Sequence, residues 1–279
     1  MTVVIKVGGA RAVDPAGALA DVATLVEAGE QVVVVHGGST KVDETLERLG
    51  VEPEYVETPS GVVGRFTDET TMEVFEMAFG HLNTQLVAGL QSLDVDAVGL
   101  NGVDGKLLYG PRKSAVRVVE DGKRKIRRGD HSGTIKQVNG DLLESLLDDG
   151  YTPVAAPPMA GKDDDEIIPV NTDADRSAAA IAGELDATLV LLTDVAGVYA
   201  DPDDPATLIE SVETGDDWAA LEDAAEGFMG RKIMAAEEAL DGGSPEVVVA
   251  DANAEEPILS ALDGDGTHVY ASAVQEEEQ

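Results

Sequence analysis

The feature that most constrains the fold is a series of short apolar runs, rich in β-branched residues, that alternate with segments of helical periodicity. Runs of this kind are typical of strands buried on both faces. They are Val3 to Val7, Val32 to Val35, Val95 to Leu100, Thr188 to Leu192, Val247 to Ala250 and Val269 to Ala271. After Asp68, apolar residues recur every three or four positions from Met72 to Leu90, which indicates a helix. The alternation predicts an α/β fold with a mostly parallel central sheet.

The length of 279 residues suits one large α/β domain or two closely joined lobes. No repeat or low-complexity linker divides the chain, and we place the boundary near residue 180. The two parts are an N-terminal lobe (1–180) and a C-terminal lobe (181–279). The stretch Gly161 to Glu166 has the composition of a solvated hairpin turn. The chain has no cysteine, which excludes disulfides, thiolate metal sites and cysteine nucleophiles.

The charge balance is strongly acidic, with 55 acidic residues against 19 basic ones and a net charge of -36. Nucleic acid is therefore a poor general partner. Such acidity is typical of a protein adapted to a cytoplasm of high salt, where screening weakens repulsion between like charges. Met1 runs almost directly into an apolar strand, and no apolar run is long enough for a membrane span, so we expect a cytoplasmic protein without a membrane partner.

Two glycine pairs follow the first two strands, in the sequences KVGG (Lys6 to Gly9) and HGGS (His36 to Ser39). In a parallel sheet the ligand crevice lies outside the carboxyl ends of the strands, and glycine there lets backbone N–H groups approach phosphate or carboxylate oxygens. A plain tight turn is the alternative for either pair alone. Neither GxxxxGK[ST] nor GxGxxG is present, so the sequence predicts a different nucleotide-binding architecture.

Several residues of the two halves each allow a functional and a structural interpretation. Lys6 lies in an apolar strand and should meet a carboxylate or a phosphate, unless it snorkels to the strand end. Asp173, or Thr172, could simply cap the alanine-rich helix that follows. The loop Thr193 to Tyr199 could contact a nucleotide or form an ordinary turn. Lys232 could reach phosphates near a helix start or lie on the surface.

Taken together, the motifs resemble the amino-acid kinase family, and within it the acetylglutamate kinase branch, over nearly the whole chain. The motifs, in order, are KVGG (Lys6 to Gly9), HGGS (His36 to Ser39), GRFTD (Gly64 to Asp68), VNTD (Val170 to Asp173), TDVAGVY (Thr193 to Tyr199) and GFMGRK (Gly227 to Lys232). The resemblance implies a carbamate-kinase-like three-layer α/β/α sandwich. It also implies transfer of a phosphoryl group from ATP to a side-chain carboxylate. The N-terminal lobe (1–180) would bind the phosphoryl acceptor and form the dimer, and the C-terminal lobe (181–279) would bind ATP.

The resemblance also implies roles for individual residues. Lys6 and Lys232 would stabilise the transferring phosphoryl group, with Asp173 holding the two ammonium groups in position. Backbone donors would come from Gly8, Gly9, Gly37 and Gly38. Arg65 and Asn171 would bind the substrate beside Gly37 and Gly38. The nucleotide would be contacted by Gly8, Gly9, Thr193, Asp194, Gly197, Tyr199 and Met229. Magnesium would be carried by the phosphates of ATP rather than by a metal site of the protein.

One segment is basic although the whole chain is acidic. Ten of the 19 basic residues lie between Lys106 and Lys136, and only three acidic residues lie among them. The local charge is therefore ten minus three, or +7. This favours a docking patch for an acidic macromolecule. A solvated hairpin or an RNA-binding segment are the alternatives. The residues we expect to dock a partner are Arg112, Lys113, Arg124, Lys125, Arg127 and Arg128.

The stretch Thr58 to Asp68, with the basic hairpin, resembles the kinases that act on glutamate or 2-aminoadipate attached to the acidic amino-group carrier protein LysW. That resemblance implies carrier-linked substrates of lysine and arginine biosynthesis and a homodimer. Pro169 and Ser39 depart from the acetylglutamate kinase pattern, so a kinase for free acetylglutamate is the second hypothesis. A noncatalytic ligand sensor and an oxidoreductase are further alternatives, weakened respectively by the retained lysines and the missing GxGxxG.

Overall fold

The computed structural model describes residues 1–8, 15–59, 61, 63–120, 122–225 and 227–274. The helices are Ala16–Glu27 (α1), Ser39–Arg48 (α2), Glu69–Gln91 (α3), Gly140–Asp148 (α4), Ala174–Glu184 (α5), Gly215–Ala224 (α6), Gly227–Gly242 (α7) and Pro257–Leu262 (α8). The strands are Thr2–Val7 (β1), Gln31–His36 (β2), Tyr55–Glu57 (β3), Val63–Arg65 (β4), Ala97–Gly102 (β5), Leu108–Glu120 (β6), Lys123–Gly133 (β7), Gln137–Val138 (β8), Thr152–Asp163 (β9), Glu166–Val170 (β10), Thr188–Thr193 (β11), Ser211–Val212 (β12), Glu246–Asp251 (β13) and Thr267–Tyr270 (β14).

In the described part, twelve strands form one sheet whose main path is β12-β14-β13-β11-β1-β2-β9-β6-β7. Strands β5 and β10 also pair with β9, and β8 pairs with β6. The central pairs β13–β11, β11–β1, β1–β2 and β2–β9 are parallel, whereas β6–β7, β9–β10 and β13–β14 are antiparallel. The predicted α/β fold with a mostly parallel sheet is confirmed. A separate two-stranded sheet joins β3 and β4.

Both faces of the sheet are covered by helices because the central strands are apolar on both sides. On one face, Val3 and Ile5 of β1 belong to a core with residues of α1, α3 and α8. On the other face, Val4 belongs to a core with residues of α5 and α7. Side chains alternate along a strand, so the continuous valine runs supply both cores. The three-layer α/β/α architecture is thereby confirmed.

Strand β1 lies in the middle of this sheet, between β11 and β2. Residue 180 falls inside α5, and both halves of the chain contribute strands to the same sheet. The division into an acceptor-binding lobe (1–180) and a nucleotide-binding lobe (181–279) stays a prediction.

The predicted helix after Asp68 is α3, and its apolar spacing places Met72, Phe75 and Phe79 against the protein. It begins at Glu69, directly after the N-cap Asp68, whose side chain accepts a hydrogen bond from the Thr71 N–H at 2.8 Å. The predicted hairpin turn after Gly161 is also confirmed, since β9 and β10 pair in antiparallel fashion on either side of it. Within the described ranges, no helix has the length and apolar content needed to span a membrane.

Candidate active site

The carboxyl ends of β1, β2 and β11 meet the start of α5 and the first half of α7, and here the structure brings two lysines to one carboxylate. Lys6 Nζ lies 2.7 Å from Asp175 Oδ1, and Lys232 Nζ lies 3.1 Å from Asp175 Oδ2. The three side chains are buried, with exposed fractions of 10%, 12% and 14% for Lys6, Lys232 and Asp175. The expectation that Lys6 meets a carboxylate, rather than snorkelling to the surface, is confirmed.

The charges of this trio stabilise one another. Burial alone would raise the pKa of Asp175, but the positive charges of Lys6 and Lys232 outweigh it and hold that pKa below its ordinary value. Burial and the repulsion from Lys6 lower the pKa of Lys232, although Asp175 opposes the change. The trio carries two positive charges against one negative, and the charge of Asp173 also raises the pKa of Lys232. A largely buried, preorganised cluster of this kind is suited to stabilise charge that develops on a transferring phosphoryl group.

The role given to Asp173 by resemblance was wrong, because Asp175 holds the two ammonium groups. Asp173 is the N-cap of α5, and its Oδ1 accepts from the N–H groups of Asp175 and Arg176 at 2.9 and 3.1 Å. The capping alternative was therefore correct for this residue. Asp173 starts the helix whose first turn carries Asp175 into the crevice. The sequence signal for Asp175 was its place in that first turn, two residues beyond the cap.

The strand ends that lead into the two glycine pairs lie side by side. Val7 pairs with His36 at the ends of β1 and β2, and the Gly37 N–H donates to the Val7 carbonyl at 3.3 Å. This bond is a correction for Gly37, whose N–H is used within the fold instead of being offered to a ligand. Gly38 caps α2, and the N–H groups of a helix's first turn have no acceptor within the helix. Gly8 is described, whereas Gly9 lies outside the described residues.

Gly38 is required by packing. A Cβ atom at this position would lie 2.7 Å from Leu82 Cδ1 and 3.0 Å from the Phe79 ring, both on α3. The turn therefore fits closely against α3, and the first turn of α2 projects beyond it. Such a helix start is a site where an anion meets backbone donors.

Arg65 lies over the first turn of α2, next to Gly38. Its Nη2 donates to Asp43 Oδ1 at 2.7 Å and to the Ser39 carbonyl at 2.9 Å, and it lies 3.0 Å from the Tyr55 hydroxyl oxygen. Asp43 and Tyr55 are positioning residues that the sequence did not indicate. Since α2 carries Asp43 and Ser39 and the β3–β4 hairpin carries Tyr55 and Arg65, the contact joins these two elements.

Asn171 contacts Thr67, which follows Arg65 by two residues. Its Nδ2 donates to Thr67 Oγ1 at 3.0 Å, and its backbone N–H donates to the His131 carbonyl at 2.7 Å. Asp130 completes this cluster, because its buried carboxylate accepts from the Thr67 N–H at 3.2 Å. The cluster joins the end of β7 to the segments that carry Arg65 and Asp175. Whether Arg65 and Asn171 contact substrate stays a prediction.

The predicted nucleotide loop begins at the carboxyl end of β11, beside β1. Thr193 ends the strand, and its hydroxyl lies 3.2 Å from Asp194 Oδ1. Gly197 is in close contact with β14, since a Cβ there would lie 2.6 Å from Thr267 Oγ1. The backbones of Tyr199 and Leu208 form an isolated antiparallel β-bridge. These contacts hold the loop against Thr267 and Leu208, and its contact with a nucleotide stays a prediction.

The remaining predicted nucleotide residues flank this loop. Gly8 lies next to the carboxyl end of β11, because a Cβ atom on Gly8 would lie 3.8 Å from the Leu192 carbonyl oxygen. Met229 lies in α7, three residues before Lys232, and packs against the apolar core on that face of the sheet. The structure therefore places Gly8 and the loop beside the two-lysine centre and Met229 in the helix that supplies Lys232.

The fold and this centre define a class of protein: an α/β enzyme with glycine turns at strand ends and paired lysines suited to phosphoryl transfer. Residues 1–251 match the model of the amino acid kinase family. The chain is 45% identical over 269 residues to the [LysW]-aminoadipate kinase of Deinococcus radiodurans, covering 96% of this chain and 91% of the relative. It is 42% identical over 270 residues to the acetylglutamate kinase of Methanopyrus kandleri, covering 95% and 99%.

Among solved structures, the N-acetylglutamate synthase of Neisseria gonorrhoeae, in complex with coenzyme A and N-acetylglutamate, superimposes with a TM-score of 0.76 at 26% identity. The match covers 96% of this chain and 59% of that synthase. The chain therefore belongs to the amino acid kinase family. The family resemblance, its fold and the kinase class inferred from the sequence are confirmed.

Proposed function

We propose that this kinase transfers the γ-phosphoryl group of ATP to the side-chain carboxylate of 2-aminoadipate or glutamate carried by LysW. The products are an acyl phosphate and ADP, in lysine or arginine biosynthesis. The name of the Deinococcus relative, at 45% identity, supports the carrier-linked substrate. The proposed phosphoryl transfer is supported above all by one observation, the contact of Asp175 with both Lys6 and Lys232.

In this reaction a carboxylate oxygen attacks the γ-phosphorus, and the bond from that phosphorus to the oxygen bridging to ADP breaks. The nucleophile is already ionised, so the enzyme needs no general base. The chemistry requires alignment and neutralisation of charge. Lys6 and Lys232 supply the positive charge, and the N–H groups at the start of α2 supply backbone donors for the anionic groups.

Magnesium enters as part of the nucleotide substrate. Among the described residues, no group of three or more histidine, aspartate or glutamate side chains is arranged to hold a metal ion. Asp175, the carboxylate at the centre, is occupied by two lysines. These contacts fit a cation that arrives bound to the phosphates better than one that is held by the protein.

The carrier would dock on the outward face of the β6–β7 hairpin. Ala115 pairs with Arg128, Arg117 with Ile126 and Val119 with Arg124, so these six residues share a face. Arg117, Arg124 and Arg128 are exposed there, and they surround Ile126, which is 68% exposed. An apolar centre within a ring of positive charge fits an acidic protein that also presents an apolar side chain.

The structure divides the predicted docking residues into two groups. Arg112 pairs with Asp163, Lys125 with Glu120 at 2.8 Å, and Arg127 with Glu54, so these three cations have acidic partners within the protein. Arg127 also lies over the Phe66 ring. Lys113, Arg124 and Arg128 are exposed. We therefore propose a docking surface that keeps Lys113, Arg124 and Arg128 from the predicted set. Arg117 and Ile126 are added to it.

The proposal is tested by an ATP-consumption assay at high salt with hydroxylamine, which traps an acyl phosphate as a hydroxamate. Carrier-linked aminoadipate, carrier-linked glutamate and free acetylglutamate are compared at equal concentration. We expect hydroxamate from a carrier-linked substrate and little from the free one. Turnover of free acetylglutamate alone would contradict the proposed substrate.

An acetylglutamate kinase acting on the free substrate is the second candidate. The 42% identity to the Methanopyrus enzyme favours it. The exposed basic hairpin favours the carrier, because a small free substrate has no use for such a surface. Discrimination between glutamate and aminoadipate is expected to be weak, since one methylene contributes about 1 to 3 kcal/mol.

We also propose a homodimer in the cytoplasm of a salt-adapted cell. Within the described part of the sheet, β5 has a neighbour on one side only, β9. Beside this edge, α3 exposes Met77, and a cavity of about 520 Å³ lies between α3 and β5. A second copy would cover the edge. Sedimentation of Met77→Asp in concentrated KCl should show a monomer where the parent chain shows a dimer.

A further inference from the structure

His36 ends β2, directly before the glycine turn, and none of the roles described above uses its side chain. The residue is 2% exposed, and its ring stacks on Phe79 with the ring centroids 5.7 Å apart. A buried imidazole needs partners for both ring nitrogens. Which nitrogen carries the proton follows from those partners.

Asn83 determines the tautomer of His36. The Asn83 Nδ2 atom lies 2.8 Å from the Val154 carbonyl oxygen and 3.4 Å from that of Leu100. Carbonyl oxygens only accept hydrogen bonds, so this atom is the amide nitrogen and the side chain cannot be flipped. The same nitrogen lies 3.2 Å from His36 Nε2. Nε2 must therefore accept, and the proton of the neutral ring is on Nδ1.

The protonated nitrogen holds the glycine turn. His36 Nδ1 lies 2.9 Å from the Gly37 carbonyl oxygen, to which it donates. In a trans peptide the C=O and the following N–H point in opposite directions. The Gly38 N–H therefore points away from the ring. The Gly37 N–H is fixed in turn by its bond to the Val7 carbonyl, so the orientation of the turn is set on both sides.

Burial keeps the ring in this state. It lowers the pKa of His36 to about 4, and the positive charge of Lys6 acts in the same direction, while the bond to the Gly37 carbonyl opposes both. A second proton would set an Nε2–H against the amide hydrogens of Asn83. The imidazole therefore does not exchange a proton with substrate at neutral pH, and any role in the reaction is indirect.

We propose that His36 is a positioning residue for phosphoryl transfer: Asn83 fixes its tautomer, and its Nδ1–H fixes the direction in which the Gly38 N–H meets the anionic group at the start of α2. The inference rests on the phosphoryl transfer described under the proposed function. It connects the core contacts of α3 with the geometry of the reacting groups, because Asn83 and Phe79 both belong to α3.

The tautomer is measured directly by NMR of protein labelled with 15N-histidine, without substrate. The chain has four histidines, and His36→Asn identifies the signal of interest. We expect a neutral ring with the proton on Nδ1, and a mixture of tautomers in Asn83→Ala. A proton on Nε2 in the parent protein would overturn the inference. Since no substrate is present, that result would leave the proposed function untouched.

Three variants test the effect on the reaction. His36→Asn keeps an N–H donor near the position of Nδ1, His36→Gln places one near Nε2, and His36→Leu has none. We expect kcat to fall about tenfold to a hundredfold in the Leu and Gln variants and to recover to within about threefold in the Asn variant, with a nearly unchanged KM for ATP. Equal loss in folded Asn and Leu variants, or full activity of the Leu variant, would overturn the proposal. If the Leu variant does not fold, the comparison of Asn with Gln decides.

Discussion

In the proposed reaction the positive charge of the site is organised by Asp175, because its two carboxylate oxygens meet two different lysines. Without that carboxylate, the buried ammonium groups of Lys6 and Lys232 would repel each other. Asp173 and Asp175 are only two positions apart, yet one caps the helix and the other lies in the crevice. Residue types and motif order predicted that Lys6 and Lys232 would act together, and the structure brings both to one carboxylate. They did not distinguish the two aspartates, because this depends on where the first turn of α5 begins.

His36 makes a prediction for stability against pH. Its pKa is lowered by burial from 6.5 to about 4, so the unfolded chain binds more protons between these values than the folded one. The free energy of unfolding should therefore fall as pH decreases from 6.5 to 4, by about 3 kcal/mol from this residue. The measurement is the difference in pH dependence between the parent protein and His36→Asn, by urea unfolding at fixed salt.

The comparison of the two proteins removes the contribution of other groups. The pKa of His268 is raised by its bond to Glu246, so its stabilising effect is present below the unfolded pKa and is lost as pH rises through the folded pKa. That window lies on the alkaline side, opposite to the window of His36. Identical pH dependence in the parent and in His36→Asn would mean that His36 is not held neutral by the fold.

At the scale of elements, the β6–β7 hairpin separates its charges by face. The inward face buries Val118 and packs Arg127 over Phe66, whereas the outward face carries Arg117, Arg124 and Ile126. The sequence predicted the hairpin and its charge. It did not reveal which cations are neutralised within the protein, because Glu54 is far from Arg127 in the chain.

We predict that the two kinds of docking contact respond differently to salt. Arg124→Glu should raise KM for the carrier-linked substrate about threefold to tenfold at low salt, equivalent to about 0.7 to 1.4 kcal/mol. The effect should shrink in about 1 M KCl, where the Debye length is about 3 Å. Ile126→Ser should raise the same KM without such shrinkage, because its contact is apolar. KM for ATP should not change in either variant.

Arg48→Glu is the matched control, since Arg48 is exposed at the end of α2 and its reversal changes the net charge by the same amount. If Arg124→Glu and Arg48→Glu have equal effects on the carrier-linked substrate, the hairpin does not receive the carrier and only the overall charge matters.

Other elements show how far periodicity reaches. The spacing of Met72, Phe75 and Phe79 predicted α3, and the valine runs predicted the central strands, because both patterns reflect local burial. Such patterns could not predict that β9 pairs with different strands along its two halves. Its first half pairs with β2 and β5, and its second half, after Pro157 and Pro158, pairs with β6 and β10. That change of partner depends on tertiary contacts.

At the scale of the whole molecule, the net charge of -36 predicts that salt stabilises the fold. Repulsion between like charges is longer in range at about 0.1 M salt, where the Debye length is about 10 Å, than at about 1 M, where it is about 3 Å. The thermal midpoint should rise with KCl over this range. Sucrose at equal osmolality is the control, because it stabilises without screening. An equal rise in both, or no rise in KCl, would contradict the electrostatic account.

The central claim is that Asp175, and not Asp173, organises the two lysines for phosphoryl transfer. The most direct test is kcat for acyl phosphate formation in Asp175→Asn and Asp173→Asn, each at saturating ATP and substrate. Asparagine caps a helix about as well as aspartate, so Asp173→Asn should stay within about threefold of the parent. Asp175→Asn should lose about a hundredfold or more, as expected when a preorganised charge is removed. Full activity of Asp175→Asn, with loss confined to Asp173→Asn, would contradict the account.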